Sequence, residues 1–215
     1  MRGSSARRLW WLWVLLGVLA VLIAFALIVA IPILTHQDQG LSHQEPGAEE
    51  WPQTVSAIGD DGRTRTISIA GEDGEPIDPS ALAPGERLVV SGSGFDAGQG
   101  IYAAICVIPD SPDVKPGPCI GGAPQQTQDP EANAGAVQYA ASNWINDDWA
   151  WKMFGARSYD SAADGTFTAY LVVGEPVGEG FDCRVDRCGV VTRNDHTAAG
   201  DRVQDVYLPV GFIGP

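Results

Sequence analysis

The sequence predicts an all-β domain, an antiparallel sandwich or barrel, carried behind one membrane-spanning helix. Three observations point there. Short strand-like runs recur between turn residues through the C-terminal three-quarters of the chain. Four cysteines fall into two local pairs, Cys106 with Cys119 and Cys183 with Cys188. An uninterrupted apolar run occupies Leu9 to Ile31.

The apolar run comes first. Every residue from Leu9 to Ile31 is apolar except Gly17, and no charge interrupts it. At ~1.5 Å per residue the run reaches roughly 35 Å, enough to cross a hydrocarbon core of ~30 Å. Arg2, Arg7 and Arg8 precede it; Asp38, Glu45, Glu49 and Glu50 follow it. The positive-inside rule then makes residues 1–8 a cytoplasmic N-terminus and puts the rest outside. Trp10, Trp11 and Trp13 fall at the cytoplasmic boundary, where amphipathic rings are favoured. A cleaved signal would carry a shorter apolar core and a small-x-small site. Here the cleavage candidate near Ala30 runs into Ile31, Pro32 and Ile33. The expectation is a retained signal-anchor helix over 9–34, single-pass in the cell membrane.

All 27 acidic residues lie beyond that run, against ten of the 13 cations. So acidic a domain is a poor match for the phosphate backbone of nucleic acid, whose binding rests on Lys and Arg. A solvated acidic surface and a cationic partner both fit it.

Residues 35–53 are polar, carry His36, His43, Pro46 and Pro52, and show no hydrophobic period. They read as a tether. Residues 54–215 suit one domain. Its strand-like runs are 65–70, 87–92, 100–108, 166–173, 189–193 and 205–211. Turn pairs such as Asp73-Gly74, Pro84-Gly85 and Asp164-Gly165 bound them. Many short strands with such punctuation argue for antiparallel sheets. The paired cysteines read as a disulfide framework, Cys106–Cys119 and Cys183–Cys188, and so as an oxidising compartment.

Two stretches exceed ordinary loop length. Residues 109–133 are proline-rich with little periodicity. Residues 138–164 hold Trp144, Trp149, Trp151, Phe154 and Tyr159. Long irregular connections are often functional. These rings are either a contact surface, with Trp144, Trp149 and Trp151 as its anchors, or a satellite core folded back over the sheets.

Read together, Leu88-Val-Val-Ser-Gly-Ser-Gly-Phe95, the two cysteine pairs in order, Asp182-Cys-Arg-Val-Asp-Arg-Cys188 and the closing Val206-Tyr-Leu-Pro-Val-Gly-Phe212 resemble the neocarzinostatin-like family. The resemblance covers about 150 residues, and is closest near the cysteines. It implies an immunoglobulin-like antiparallel sandwich of actinobacterial, extracytoplasmic type, with both disulfides matching those of the family. It also implies a cleft floored by the first disulfide, which in the family's secreted carriers holds a reactive chromophore. By position Ile108, Phe181 and Val191 would line that cleft. Where the carriers place an aromatic ring this chain has Ile108, and Phe181 is the only ring near the loop 174–180.

Other chemistry is sparse. The sequence has no H-E-x-x-H, G-x-S-x-G or Walker loop. Asp195, His196 and Asp201 invite a metal or acid–base reading, but their Gly- and Asn-containing surroundings suit turn capping better. Neither a metal nor a cofactor is expected. Three functions remain open: a non-enzymatic, membrane-tethered binding module; a carrier of a small hydrophobic ligand; and an accessory subunit of a membrane complex. In the last, Gly17, Ala20, Ala24 and Ala26 would admit a neighbouring helix.

Overall fold

The computed structural model describes residues 4–44, 50–121 and 138–213, with side chains throughout except at 4–9 and Pro32. The chain divides into two compact units, Met1–Gln37 and Asp38–Pro215. The N-terminal unit is one helix, α1, Ser4–Thr35. Its stretch Trp10–Thr35 is long and apolar enough to cross a membrane, and none of it is buried inside the protein. Large side chains such as Leu15, Val21 and Leu22 are more than half exposed. A helix that is apolar all round needs an apolar surrounding.

The second unit is built from antiparallel sheets. Its strands are β1 Thr54–Ile58, β2 Thr64–Gly71, β3 Arg87–Ser93, β4 Ile101–Val107, β5 Ser142–Ile145, β6 Phe167–Val172, β7 Val177–Gly178, β8 Phe181–Asp182, β9 Cys188–Asn194 and β10 Val206–Val210. One four-stranded sheet has the order β1-β2-β3-β6 and another β10-β9-β4-β5, with β7-β8 a small ribbon. Every strand pair is antiparallel. Each of the six runs read from the sequence contains a strand.

Period-two alternation decides which side chains face inward. Leu88 and Val90 of β3, Ile67 and Ile69 of β2, and Phe167, Ala169 and Leu171 of β6 are buried. They join Ile101, Ala103 and Ile105 of β4, Val190 of β9 and Leu208 of β10 in one apolar cluster drawn from both four-stranded sheets. The Ser91-Gly92-Ser93-Gly94-Phe95 turn depends on its glycines. A Cβ at Gly92 would stand 2.1 Å from the Phe167 ring, and Gly94 adopts a φ of 79° with the Thr64 carbonyl against it. Phe95 and Phe167 then meet edge-to-face at 5.0 Å.

The strand β9 is buried on both faces except at Arg193. Its outward residue Val191 belongs to a second, smaller cluster with Ala104, Cys106, Ile108 and Tyr207. Both disulfides are present. Cys106–Cys119 ties β4 to the following loop, and Cys183–Cys188 joins the end of the β8 turn to β9.

Two expectations change. The stretch 138–164 is not one irregular connection: β5 pairs with β4, Tyr102 opposite Trp144, and α2, Trp149–Lys152, follows. Asp148 caps that helix, its carboxylate accepting from Ala150 N at 2.8 Å. The stretch read as a tether also contains docked residues. Leu41 bridges Arg202, Asp60 N donates to Leu41 O, and the Gln44 amide pairs with both backbone groups of Tyr207 at 2.6 Å. Gln44 thus satisfies part of the open edge of β10, which would otherwise present unpaired N–H and C=O groups. Polar side chains make these contacts, so no hydrophobic period announced them. Residues 45–49 of that stretch, and 122–133 of the proline-rich one, lie outside the described residues.

Candidate functional site

Where β10 ends, the chain builds a groove of about 750 Å³. Its floor includes Ile108 and Tyr207, which pack together in the smaller apolar cluster. Trp51, Pro52 and Phe212 contribute another side. The loop closed by Cys183–Cys188 contributes the third, and Val185 at its tip is 82% exposed.

Local chemistry fixes each wall. Ile108 N donates to Arg187 O at 2.8 Å, which fastens the disulfide loop beside β4. Asp182 shapes that loop: its carboxylate accepts from Arg184 N and grips the Arg184 guanidinium at 2.7 Å. That side-chain hydrogen bond holds the Asp182 carboxyl down to about 2. Gly211 lets the side formed by Trp51 and Phe212 close, because a Cβ there would strike the Ser80 carbonyl at 2.4 Å. Glu50, Asp110, Asp186 and Arg187 ring the groove with charge of both signs. An apolar floor with a mixed polar rim suits a ligand or peptide segment that is mainly apolar.

Of the three cleft residues read from the sequence, Ile108 lines this groove. Val191 lies buried in the same small cluster. Phe181 is half-buried against the main core, and neither it nor Val191 is part of the groove lining. Trp51, Tyr207 and Phe212 were not anticipated. Trp51 stands at the end of a stretch with no hydrophobic period; Tyr207 belongs to the strand-like run 205–211 and, with Phe212, to the closing motif of the resemblance, neither as a site residue.

The aromatic segment divides. Trp144 and Trp151 are half-buried and gather around His196, with ring centroids 5.3 and 4.8 Å from it. Trp144 Nε1 also donates to Asp195 Oδ2 at 2.8 Å. Trp149, Met153 and Phe154 stay exposed, at 59%, 63% and 48%.

The Asp195–Asp201 turn is held by its own side chains. Asp195 Oδ1 accepts from Thr197 N and Oγ1, and Oδ2 accepts from Asn146 Nδ2. Asp201 Oδ1 accepts from Val203 N and Oδ2 from Gln39 N. Among the described residues no group of three His, Cys, Asp or Glu side chains is placed to hold a metal ion.

No family model matches the chain, and no solved structure matches it. One curated protein gives a likeness. The chain is similar to thiamine biosynthesis protein X of Corynebacterium glutamicum. The two are 27% identical over 136 residues, 63% of this chain and 60% of that protein. The chain thus spans about 60% of the length of this relative.

Proposed function

We propose that this chain is a non-enzymatic binding module, tethered to the cell membrane by a retained α1 and exposed on the extracytoplasmic side. The observation that carries the reading is the groove over Ile108 and Tyr207, walled by the Cys183–Cys188 loop. Apolar concavities with a few polar groups at the rim are the usual form of a ligand site. The disulfides favour an oxidising compartment, and the arginines ahead of α1 favour a cytoplasmic N-terminus.

We assign the β unit to the immunoglobulin-like sandwich class, of neocarzinostatin-like type. Strand order supports this. The chain passes between the two sheets after β3, after β5, and again between β6 and β9, so neighbours β3/β6 and β4/β9 are not consecutive. Such crossovers are those of Greek-key sandwiches. The ribbon β7-β8 and the paired disulfides agree with the family resemblance.

The relative's name supplies a second reading: the ligand is a small molecule connected with thiamine biosynthesis. Its support is 27% identity over part of each chain.

The test is copurification. Full-length protein in mild detergent should retain a bound species detectable by native mass spectrometry. Trp51→Ala and Val185→Glu should lose it without a change in melting temperature. Equal retention by both variants would remove the groove from the reading. Protease added to spheroplasts should digest the β unit and spare the N-terminus; a mature chain beginning after residue 30 would make α1 a signal sequence.

A further inference from the structure

Three large apolar side chains stand out of the β unit within a short stretch: Trp149, Met153 and Phe154, at 59%, 63% and 48% exposure. Among the described residues of the β unit no other stretch of that length holds three. The turn of α2 that carries them is fixed from below. Ala150 is buried, and Trp151 packs on Trp144 and His196, ring centroids 5.7 and 4.8 Å away. The charges beside the patch are engaged: Lys152 pairs with Asp147 at 3.2 Å, and the Asp148 carboxylate caps α2. An exposed apolar patch on a fixed support marks a contact surface.

Strand register fixes where this patch lies. Ile145, the last residue of β5, is opposite Ile101 of β4, and Ile101 is opposite Asn194, the last residue of β9. The segments that follow β5 and β9 therefore leave the sheet at one end. The chain enters the β unit at that end too. Gln39 N donates to Asp201 Oδ2 at 3.0 Å, and Leu41 bridges Arg202. Asp201 N in turn donates to the carbonyl of Ala198, in the same short turn as His196. Gln39 is four residues past Thr35, where α1 ends, and four residues reach at most about 14 Å. With α1 read as a retained membrane anchor, covalent length alone keeps this end of the β unit close to the bilayer surface, at any angle between the two. The groove is at the other end of β4, where Ile108 follows Val107.

We propose that Trp149 and Met153, with Phe154 beside them, seat the β unit in the boundary between headgroups and acyl chains of the membrane that holds the anchor, with the groove at the end away from lipid. The proposal rests on the anchor reading of α1 and not on a ligand in the groove. Indole rings favour that boundary, where the ring body meets an apolar medium and the N–H stays wet. The anchor makes the contact intramolecular, so weak insertion suffices. Three side chains fall short of the roughly 20–30 residues that a stable protein interface uses on each partner. Beyond the apolar run, 27 acids stand against ten of the 13 cations, which makes neutral rather than anionic headgroups the fitting surface.

Spin-label depth measurement on full-length protein in phosphatidylcholine nanodiscs tests this. All four cysteines are bonded in disulfides, so one added cysteine takes the nitroxide alone. The label replaces Met153, Val185 on the groove wall, or Leu22 in α1. An apolar face seated in the interface lies ~5–10 Å deep, so collision with a water-soluble nickel chelate should be about fivefold or more lower at 153 than at 185, and collision with lipid-dissolved oxygen higher. Trp149→Asp should return position 153 to the values of position 185, with unchanged melting. Position 22 shielded from nickel while 153 matches 185 overturns the proposal and leaves the anchor standing. Position 22 open to nickel removes the anchor and the proposal with it. Shielding of 153 from both reagents means that protein covers the patch, and it overturns the proposal, as does a lipid depth that Trp149→Asp leaves unchanged.

Discussion

Asp205 is wholly buried, and its Oδ2 lies 3.1 Å from Nη1 of Arg202, itself 3% exposed. Burial pushes the Asp205 carboxyl up to about 7, against the pull of Arg202, the Tyr207 hydroxyl and Arg193; Asp201 adds a small push upward.

A pH dependence follows. Between about pH 4 and pH 7 the folded chain holds a proton on Asp205 that the unfolded chain has released. The stability tied to that proton is complete below pH 4 and is lost as pH rises through 7. Asp205→Asn cannot titrate. The melting temperature of wild type minus that of Asp205→Asn should therefore fall as pH goes from 4 to 8. For a domain of this size ~1 kcal/mol moves the melting temperature by roughly 2–4 °C. A difference that stays flat would show that the carboxyl titrates alike in both states.

Arg65 gives a sharper stability test. Its side chain is 0% exposed, with Nη1 2.9 Å from Asp61 Oδ1 and Nε 3.4 Å from Gln204 Oε1. Arg65→Ala leaves Asp61 and Gln204 without this partner beside the core. Loss of about 3–5 kcal/mol is expected, as for other broken buried pairs, measured by urea denaturation. A loss under about 1 kcal/mol would mean that water replaces the guanidinium at no cost.

The disulfides close short loops, with sequence separations of 13 and 5. Each should contribute on the order of 2–3 kcal/mol by restricting the unfolded chain, the longer loop more. Replacing Cys183 and Cys188 by Ala should also loosen the groove wall that carries Val185. Proteolysis near Arg184 and Arg187 should then speed up, while removal of Cys106–Cys119 leaves those sites as slow as before.

Trp149 and Trp151 separate surface from packing. Trp149→Ala should change stability by less than about 0.5 kcal/mol, because the ring is 59% exposed. Trp151→Ala removes a ring packed on Trp144 and His196, centroids 5.7 and 4.8 Å away, and should cost about 2 kcal/mol. Equal effects would contradict the division of the segment.

Alternation and turn residues made much of the β unit legible. Arg87–Gly92 and Thr166–Val173 show the period plainly, and β3 and β6 form there. β1 escaped notice because it is an edge strand in which only Ala57 is buried. β5 escaped because Ser142 and Asn143 are buried as polar residues, Asn143 bonding both backbone groups of Tyr170. For the groove, Ile108 was legible by its place after Cys106. Trp51 was not, because it reaches the groove from a stretch without periodicity.

The most direct measurement of groove binding is site-specific photocrosslinking in intact membranes. A benzoylphenylalanine replaces Val185, 82% exposed on the groove wall, or Ile58, 61% exposed on β1 and outside the groove lining. Position 185 should yield a discrete adduct that position 58 lacks, and Trp51→Ala should abolish it. The same adducts from both positions, or none from position 185, would contradict a ligand in the groove.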